Sequence, residues 1–178
     1  KDTTHPDART TAYRWNNDGW VMNVKSAHIV NGIFSSDQQT DRAPFTDRFA
    51  GVHLRFSNIN GDFKNTHFEK DTLTTDFDLS TKERSGFEVK KLKAILKFTP
   101  GLMEYKQLEL VTNKSHLGNY FAMHYHSFNK DMSDFIHSIK MDANFVNSEL
   151  NSDDLAFFAP ETASWKRIYQ LKGIAKGS

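Results

Sequence analysis

Apolar and polar residues take turns along most of this chain, and a period of two is the signature of extended strands that bury one face and wet the other. Val52, Leu54 and Phe56 alternate with His53, Arg55 and Ser57, and Leu73, Phe77 and Leu79 with Thr74, Asp76 and Asp78. Leu92, Ala94, Leu96 and Phe98 interleave with Lys91, Lys93 and Lys97, while Ile95 intrudes on the polar side. Leu108 and Leu110 face away from Gln107 and Glu109, and Phe121, Met123 and Tyr125 oppose Ala122, His124 and His126. Ile139, Met141, Ala143 and Phe145 oppose Lys140, Asp142 and Asn144. Helical periodicity is scarce. The pattern predicts an all-β fold: a mainly antiparallel curved sheet, U-shaped or sandwich-like, with one or two short helical turns. Strands are expected near 20–34, 50–60, 72–79, 86–98, 103–112, 119–127, 138–147 and 165–175.

Between Phe87, Val89 and Leu92 the alternation slips by one residue at Lys90 and Lys91, where a β-bulge would restore the face. Turn chemistry at Asn16-Asn17-Asp18-Gly19, Asn60-Gly61-Asp62, Thr99-Pro100-Gly101 and Asn113-Lys114-Ser115 punctuates the strands as in a meander. Ser133 and Asp134 are placed to start one helical turn before Phe135 and Ile136. Ser152 is placed to cap another through Asp153, Asp154 and Leu155, ending before Pro160. Ser35 to Arg48 reads as a loop, and residues 1–19 as a polar, irregular stretch. A loose echo recurs at Ile29-Val30-Asn31-Gly32-Ile33, Phe56-Ser57-Asn58-Ile59-Asn60-Gly61 and Phe145-Val146-Asn147-Ser148-Glu149-Leu150, as stacked β units of one kind would produce.

At 178 residues the chain supports one domain and one core. The 23 Lys and Arg nearly balance the 22 Asp and Glu, so no bulk field attracts nucleic acid. The 38% hydrophobic content is rich in rings, with 15 Phe, 5 Tyr and 3 Trp that something must cover. No apolar run approaches the length needed to span a bilayer, and Lys1 to Thr11 lack a signal-peptide core, so any export signal or anchor is expected outside these residues. The absence of Cys excludes disulfides and thiolate metal sites.

Catalytic signatures are absent: there is no nucleophile elbow, phosphate loop, dinucleotide fingerprint or zincin motif. We therefore expect no enzyme and no cofactor. His124 and His126 share a strand face and are candidate metal ligands with Asp131 or Asp134, against the plainer reading of a solvated polar face. Asp153-Asp154 reads as helix-start acids and Asp76-x-Asp78 as a wet strand face, rather than as acid–base pairs. Asn113-Lys114-Ser115 fits the N-glycosylation pattern, and Asp71-Thr72-Leu73 resembles a bacterial O-glycosylation motif. The aromatic and aliphatic stripe is the most informative feature. It fits either a β-sandwich core or a sheet whose oily face is wetted by lipid, since side chains and acyl chains are equally apolar neighbours.

The order and spacing of Leu108 to Leu117, Met132 to Ile136, Asn147 to Pro160 and Leu171 to Gly177 resemble segments of the AsmA-like family. The likeness is greatest to its translocation-and-assembly-module (TamB) branch in Bacteroidetes. Trp20 to Phe34, His53 to Gly61 and Ser85 to Val89 fit the same pattern. The resemblance implies that residues 1–178 are a single β-rich internal segment of a large, inner-membrane-anchored periplasmic protein. It implies a long U-shaped sheet with an apolar trough, phospholipid transport or outer-membrane assembly as the role, and an outer-membrane barrel partner for the full-length protein. Candidate trough residues are Leu54, Phe56, Phe77, Leu96, Phe98, Leu110, Phe121, Met123, Met141 and Phe145. The alternative is a secreted β-sandwich module that binds carbohydrate or protein through exposed aromatics such as Trp15 or Trp20.

Overall fold

A computed structural model describes residues 14–37, 45–126, 131 and 138–177. Eight strands follow the chain in order: β1 (Met22–Asp37), β2 (His53–Glu69), β3 (Thr72–Glu83), β4 (Glu88–Thr99), β5 (Leu102–Val111), β6 (His116–His124), β7 (Lys140–Asn151) and β8 (Ile168–Gly177). Each pairs antiparallel with the next, giving one open sheet in the order β1 to β8. Among the described residues no second sheet faces it, and the helical content is a turn at Ser152–Leu155, a 3-10 turn at Pro160–Ser164 and the single helical residues Asp131 and Ser138.

Cross-strand register converts the sequence alternation into one continuous oily face. Leu73, Phe98, Met103, Met123 and Met141 form one row across β3 to β7, each paired with the next. A second row runs Thr75, Leu96, Tyr105, Phe121, Ala143, and a third runs Leu79, Leu92, Leu110, Leu117. The other face carries Asp62 opposite Asp78, Asp78 opposite Lys93, and Lys93 opposite Glu109. Directly opposed side chains are the unit of sheet stabilisation, so these rows hold the strands in register. The buried centre is Phe77, Ala94 and Leu108, surrounded by Phe63, Leu79, Leu92, Leu96, Tyr105, Leu110 and Phe121. Phe77 and Tyr105 stand on strands two apart, roughly 9.6 Å at the usual spacing. Their ring centroids are 6.4 Å apart above the small Ala94, so side chains converge on the oily side.

Alternation slips by one residue at points along β1, β2, β4, β5 and β7, and a bulge answers the slip on each of these strands. On β2 the oily residues are Leu54 and Phe56, then Ile59, Gly61 and Phe63, then Thr66 and Phe68. The register with β3 shifts between Ser57 and Asn60 and again between Lys64 and His67. Asn58 and Asn65 lie inside those shifts with φ of 51° and 53°. The same device sits at Asn31 on β1, Gln107 on β5 and Asn147 on β7, at φ of 51°, 52° and 49°. A residue in the left-handed region lets the strand gain one residue and resume with the correct face. Asn31, Asn58 and Asn147 are the shared asparagines of the sequence echo, which is therefore a repeated bulge rather than a repeated unit of fold. The slip at Lys90 and Lys91 is also a bulge, since Val89 and Leu92 of β4 span three residues against the two from Leu79 to Thr81.

All eight expected strands are present, and their differences from expectation have local causes. Asn60-Gly61-Asp62 is not a turn but the middle of β2. A Cβ at Gly61 would lie 2.6 Å from Leu79 Cβ and 2.9 Å from the Asp78 carbonyl oxygen, so this glycine serves close strand approach. The actual β2–β3 turn falls at Lys70 and Asp71. Ser35 to Asp37 extend β1 against Arg55 to His53 rather than beginning a loop. The helical turn is capped by Asn151, whose side chain accepts from the Asp153 N–H, and Ser152 is its first residue. The expected turn at Ser133 to Ile136 lies outside the described residues.

The bulge at Asn147 makes a prediction, because no hydrogen bond of its side chain is found among the described residues. Asn147→Val, which forces a β-branched residue into the left-handed region, should destabilise the protein by about 1–2 kcal/mol, whereas Asn147→Gly should be near neutral. Urea denaturation of the two variants beside the parent checks this. Equal loss in both would mean that backbone conformation is not what Asn147 provides.

Candidate functional site

An open cleft of about 380 Å³ lies on the oily face. Its floor is built by Val89 and Leu92 of β4, Tyr105, Leu108 and Leu110 of β5, and Leu117, Phe121 and Met123 of β6. Alternation places these side chains on one side, and the bulge at Gln107 keeps Leu108 and Leu110 there with Tyr105. The Tyr105 hydroxyl donates to Met103 Sδ at 2.8 Å, and burial pushes its pKa up to about 12.

One end of the oily face is closed by the β7–β8 connection. Leu155 and Phe158 wall the cleft, and the Phe87 ring meets those of Phe157 and Phe158 edge-on at 5.5 and 5.1 Å. Phe49 adds a ring 5.2 Å from Phe158, and its N–H donates to the Phe157 carbonyl at 2.8 Å. At the opposite end Trp15 lies over Phe98 with ring centroids 4.4 Å apart. Asp71 holds it there by accepting from the N–H groups of Trp15 and Asn16 at 2.7 and 2.8 Å and from Arg14 Nε at 3.0 Å.

The polar groups of the cleft gather at the closed end by Phe158. Asp154 is 4% exposed, and its Oδ2 accepts from the Thr112 hydroxyl and, at 3.0 Å, from the Lys114 N–H. Ser115 Oγ accepts from the Asn151 N–H at 3.0 Å. Asp153, its neighbour, turns outward and accepts from Lys114 Nζ and Lys166 Nζ at 2.7 and 2.9 Å. Those ammonium groups, Lys114 foremost, hold its carboxyl below the usual range. The two adjacent acids thus do different things, one stapling a surface turn and the other facing the cleft.

All ten candidate trough residues fall on the oily face. Leu110, Phe121 and Met123 line the cleft, and Phe145 lies further along β7 opposite Asn119 and Gly173. Leu96 and Met141 continue the rows beyond the cleft, and Leu54 and Phe56 lie on β2, where Phe34 is 6.5 Å from Phe56. Phe98 lies beneath Trp15, and Phe77 is 6% exposed between Phe63 and Tyr105, so both contact protein. His124 and His126 are drawn to separate carboxylates, Asp142 at 3.1 Å and Asp131 at 3.9 Å. No group of three metal-binding side chains converges among the described residues, and Asp134 lies outside them. Asp76 accepts from Asn65 Nδ2 at 2.8 Å on the polar face. Asn113 does not offer a free amide: its Oδ1 accepts from the Glu88 N–H and its Nδ2 donates to the Gly86 carbonyl. Of the two exposed-aromatic candidates, Trp20 is 70% exposed and Trp15 is engaged with Phe98. Sequence reading missed Phe87 and Thr112, which flank β4 and β5, and Asp154, Leu155 and Phe158, which reach the cleft only because the β7–β8 connection folds back across the sheet.

The Asp71 clasp makes the Trp15 end sensitive to acid. The Asn16 N–H, helped by Arg14 and the Trp15 N–H, holds the Asp71 carboxyl below its ordinary value of 3.8. A carboxyl depressed in the folded state stabilises fully above its unfolded value, and that contribution is lost as pH falls through the folded one. Trp15 fluorescence, followed in a Trp20→Phe, Trp165→Phe background, should therefore change on acidification with a midpoint below 3.8. Replacing Asp71 with Asn should remove that acid transition, and a parent transition above pH 4 would contradict the assignment.

No protein-family model, curated protein or solved structure matches this chain.

Proposed function

We propose that this chain is a non-enzymatic periplasmic segment of an envelope-spanning AsmA/TamB-like protein. Its oily sheet face forms a trough for phospholipid acyl chains, in phospholipid transport or outer-membrane assembly. The observation that carries the reading is the single layer: rows of Leu, Phe and Met cross the sheet with no second sheet over them among the described residues. An oily face of this extent, left open at a 380 Å³ cleft, is a surface for an apolar occupant. The resemblance to that family, which covers most of residues 20–177, supports the periplasmic location and phospholipid as the class of occupant. An outer-membrane barrel partner belongs to the full-length family and is not assigned to any surface of this segment.

Organic extraction and native mass spectrometry of the purified chain test the reading, with phospholipid expected to co-purify. Leu110→Lys and Phe121→Asp place charge on the cleft floor and should each cut recovered lipid about 10-fold or more, since burying an unpaired charge against acyl chains is strongly unfavourable. Circular dichroism should still report sheet in both. A parent protein that carries no lipid and takes none from vesicles of phosphatidylglycerol and phosphatidylcholine would sink the proposal.

A further inference from the structure

β1 pairs with β2 on one side, and among the described residues no strand pairs with its other side. An open edge of this kind presents a row of N–H and C=O groups to a further strand, and sheets ordinarily guard it with charge. β8, the opposite edge, carries Lys172 and Lys176, whereas β1 has no Lys, Arg, Asp or Glu from Ser26 to Ser36. The middle of β1 is apolar on both faces. Its register with β2 puts Ile29, Gly32 and Phe34 on the oily face, opposite Gly61, Ile59 and Phe56, which leaves Val30 and Ile33 on the polar face with His28 and Ser35. Val30 and Ile33 are each 63% exposed there.

The bulge at Asn31 makes this pattern symmetric. Residues directly opposed in a sheet share a face, so in a strand without a bulge an inverted copy centred between two residues would set oily positions against polar ones. Asn31, at φ 51°, switches the alternation at the centre of the apolar run. An inverted copy centred between Asn31 and Gly32 therefore sets Ile29 against Phe34 on the oily face and Val30 against Ile33 on the polar face. His28 then opposes Ser35, again on one face. The Asn31 N–H donates to Asn60 Oδ1 at 2.9 Å, so the bulge is secured from within its own sheet. The charges that flank the run agree with inversion: Lys25 lies at one end and Asp37 at the other. An antiparallel copy brings unlike charges together, whereas a parallel copy would set like against like.

We propose that β1 is a self-association edge and that its partner is β1 of a second copy of this chain, antiparallel, with Val30 of each copy opposed to Ile33 of the other. The two-fold pairing uses the same strand in both copies, so it closes at a dimer. The oily faces of the two sheets lie on the same side of the seam and run continuously across it. This pairing does not depend on what occupies the cleft over β4 to β6.

Sedimentation velocity of the parent chain at about 100 µM should show a dimer that dissociates on dilution. Val30→Lys and Ile33→Lys put charge on the wet side of the edge, and each should weaken association about 10-fold or more while circular dichroism still reports sheet. The chain has no Cys, so introduced ones read the register directly. Val30→Cys protein mixed with Ile33→Cys protein and oxidised should give a cross-linked dimer, because opposed residues come within disulfide reach. Either variant oxidised alone should give far less. A monomeric parent, growth beyond a dimer with concentration, or association that both lysine variants leave unchanged would overturn the proposal. So would a mixture that cross-links no better than Val30→Cys alone, the outcome expected of a parallel pair. Should the lysine variants not fold, the disulfide pattern decides.

Discussion

One constraint governs this molecule: eight consecutive strands must present their apolar residues on the same side of a single sheet. A strand that slips by one residue turns every side chain over, and each Leu or Phe moved from cover to water forfeits roughly 1.5–3 kcal/mol. Holding one non-glycine residue in the left-handed region costs only about 1–2 kcal/mol. On β2 the bulge at Asn58 keeps Ile59 and Phe63 aligned with Phe56, and the bulge at Asn65 keeps Phe68 aligned with them. The comparison favours the bulge at each of these sites. Asparagine suits the position because its short amide tolerates the left-handed region better than most side chains.

The polar face answers to a different requirement. With no second sheet over it among the described residues, the sheet depends on its cross-strand pairs, and outward ion pairs such as Lys91 with Glu109 at 2.8 Å sit where water screens them. They contribute solubility and register more than stability. Burial instead concentrates at the oily centre around Phe77 and Ala94 and at the end closed by Phe87, Phe157 and Phe158. Ser148 and Ser152, both fully buried, tie that end down: Ser148 Oγ accepts from the Gly118 N–H, and Ser152 Oγ from the Arg167 N–H. The edge strands are unequal. β8 carries Lys172 and Lys176, which discourage further pairing, whereas β1 has no Lys, Arg, Asp or Glu from Ser26 to Ser36 and exposes Val30, Ile33 and Phe34.

Strand count, order and the face of each candidate residue were legible because period-two patterning is local and survives without tertiary knowledge. The bulge at Lys90 and Lys91 was legible for the same reason, as a visible slip between Val89 and Leu92. The bulge at Gln107 was equally visible in Tyr105 to Leu108 and passed unnoticed. Asn60-Gly61-Asp62 misled because its composition is that of a turn, while its glycine answers to a backbone on the neighbouring strand. The closed end was not legible at all. Leu155 and Phe158 sit in a short apolar run without periodicity, and only the return of the chain to Arg167, held by Ser152, brings that run over β4 and β5.

The same geometry bears on how an apolar occupant reaches the cleft. Rings obstruct the oily face at both ends of the strands, Trp15 at one and Phe158 with Phe87 at the other. The middle, over β4 to β6, remains uncovered by the described residues. The open approach for an apolar occupant of the proposed kind is therefore from above the sheet rather than between hairpins. The strands need not separate for an approach from that side, and the rows from Leu73 to Met141 and from Leu79 to Leu117 stay paired throughout. Moving the Phe157–Phe158 segment would lengthen the trough past β3–β4, at the cost of the ring contacts with Phe87 and Phe49. That segment rather than the sheet thus sets the length of oily face left open on β4 to β6.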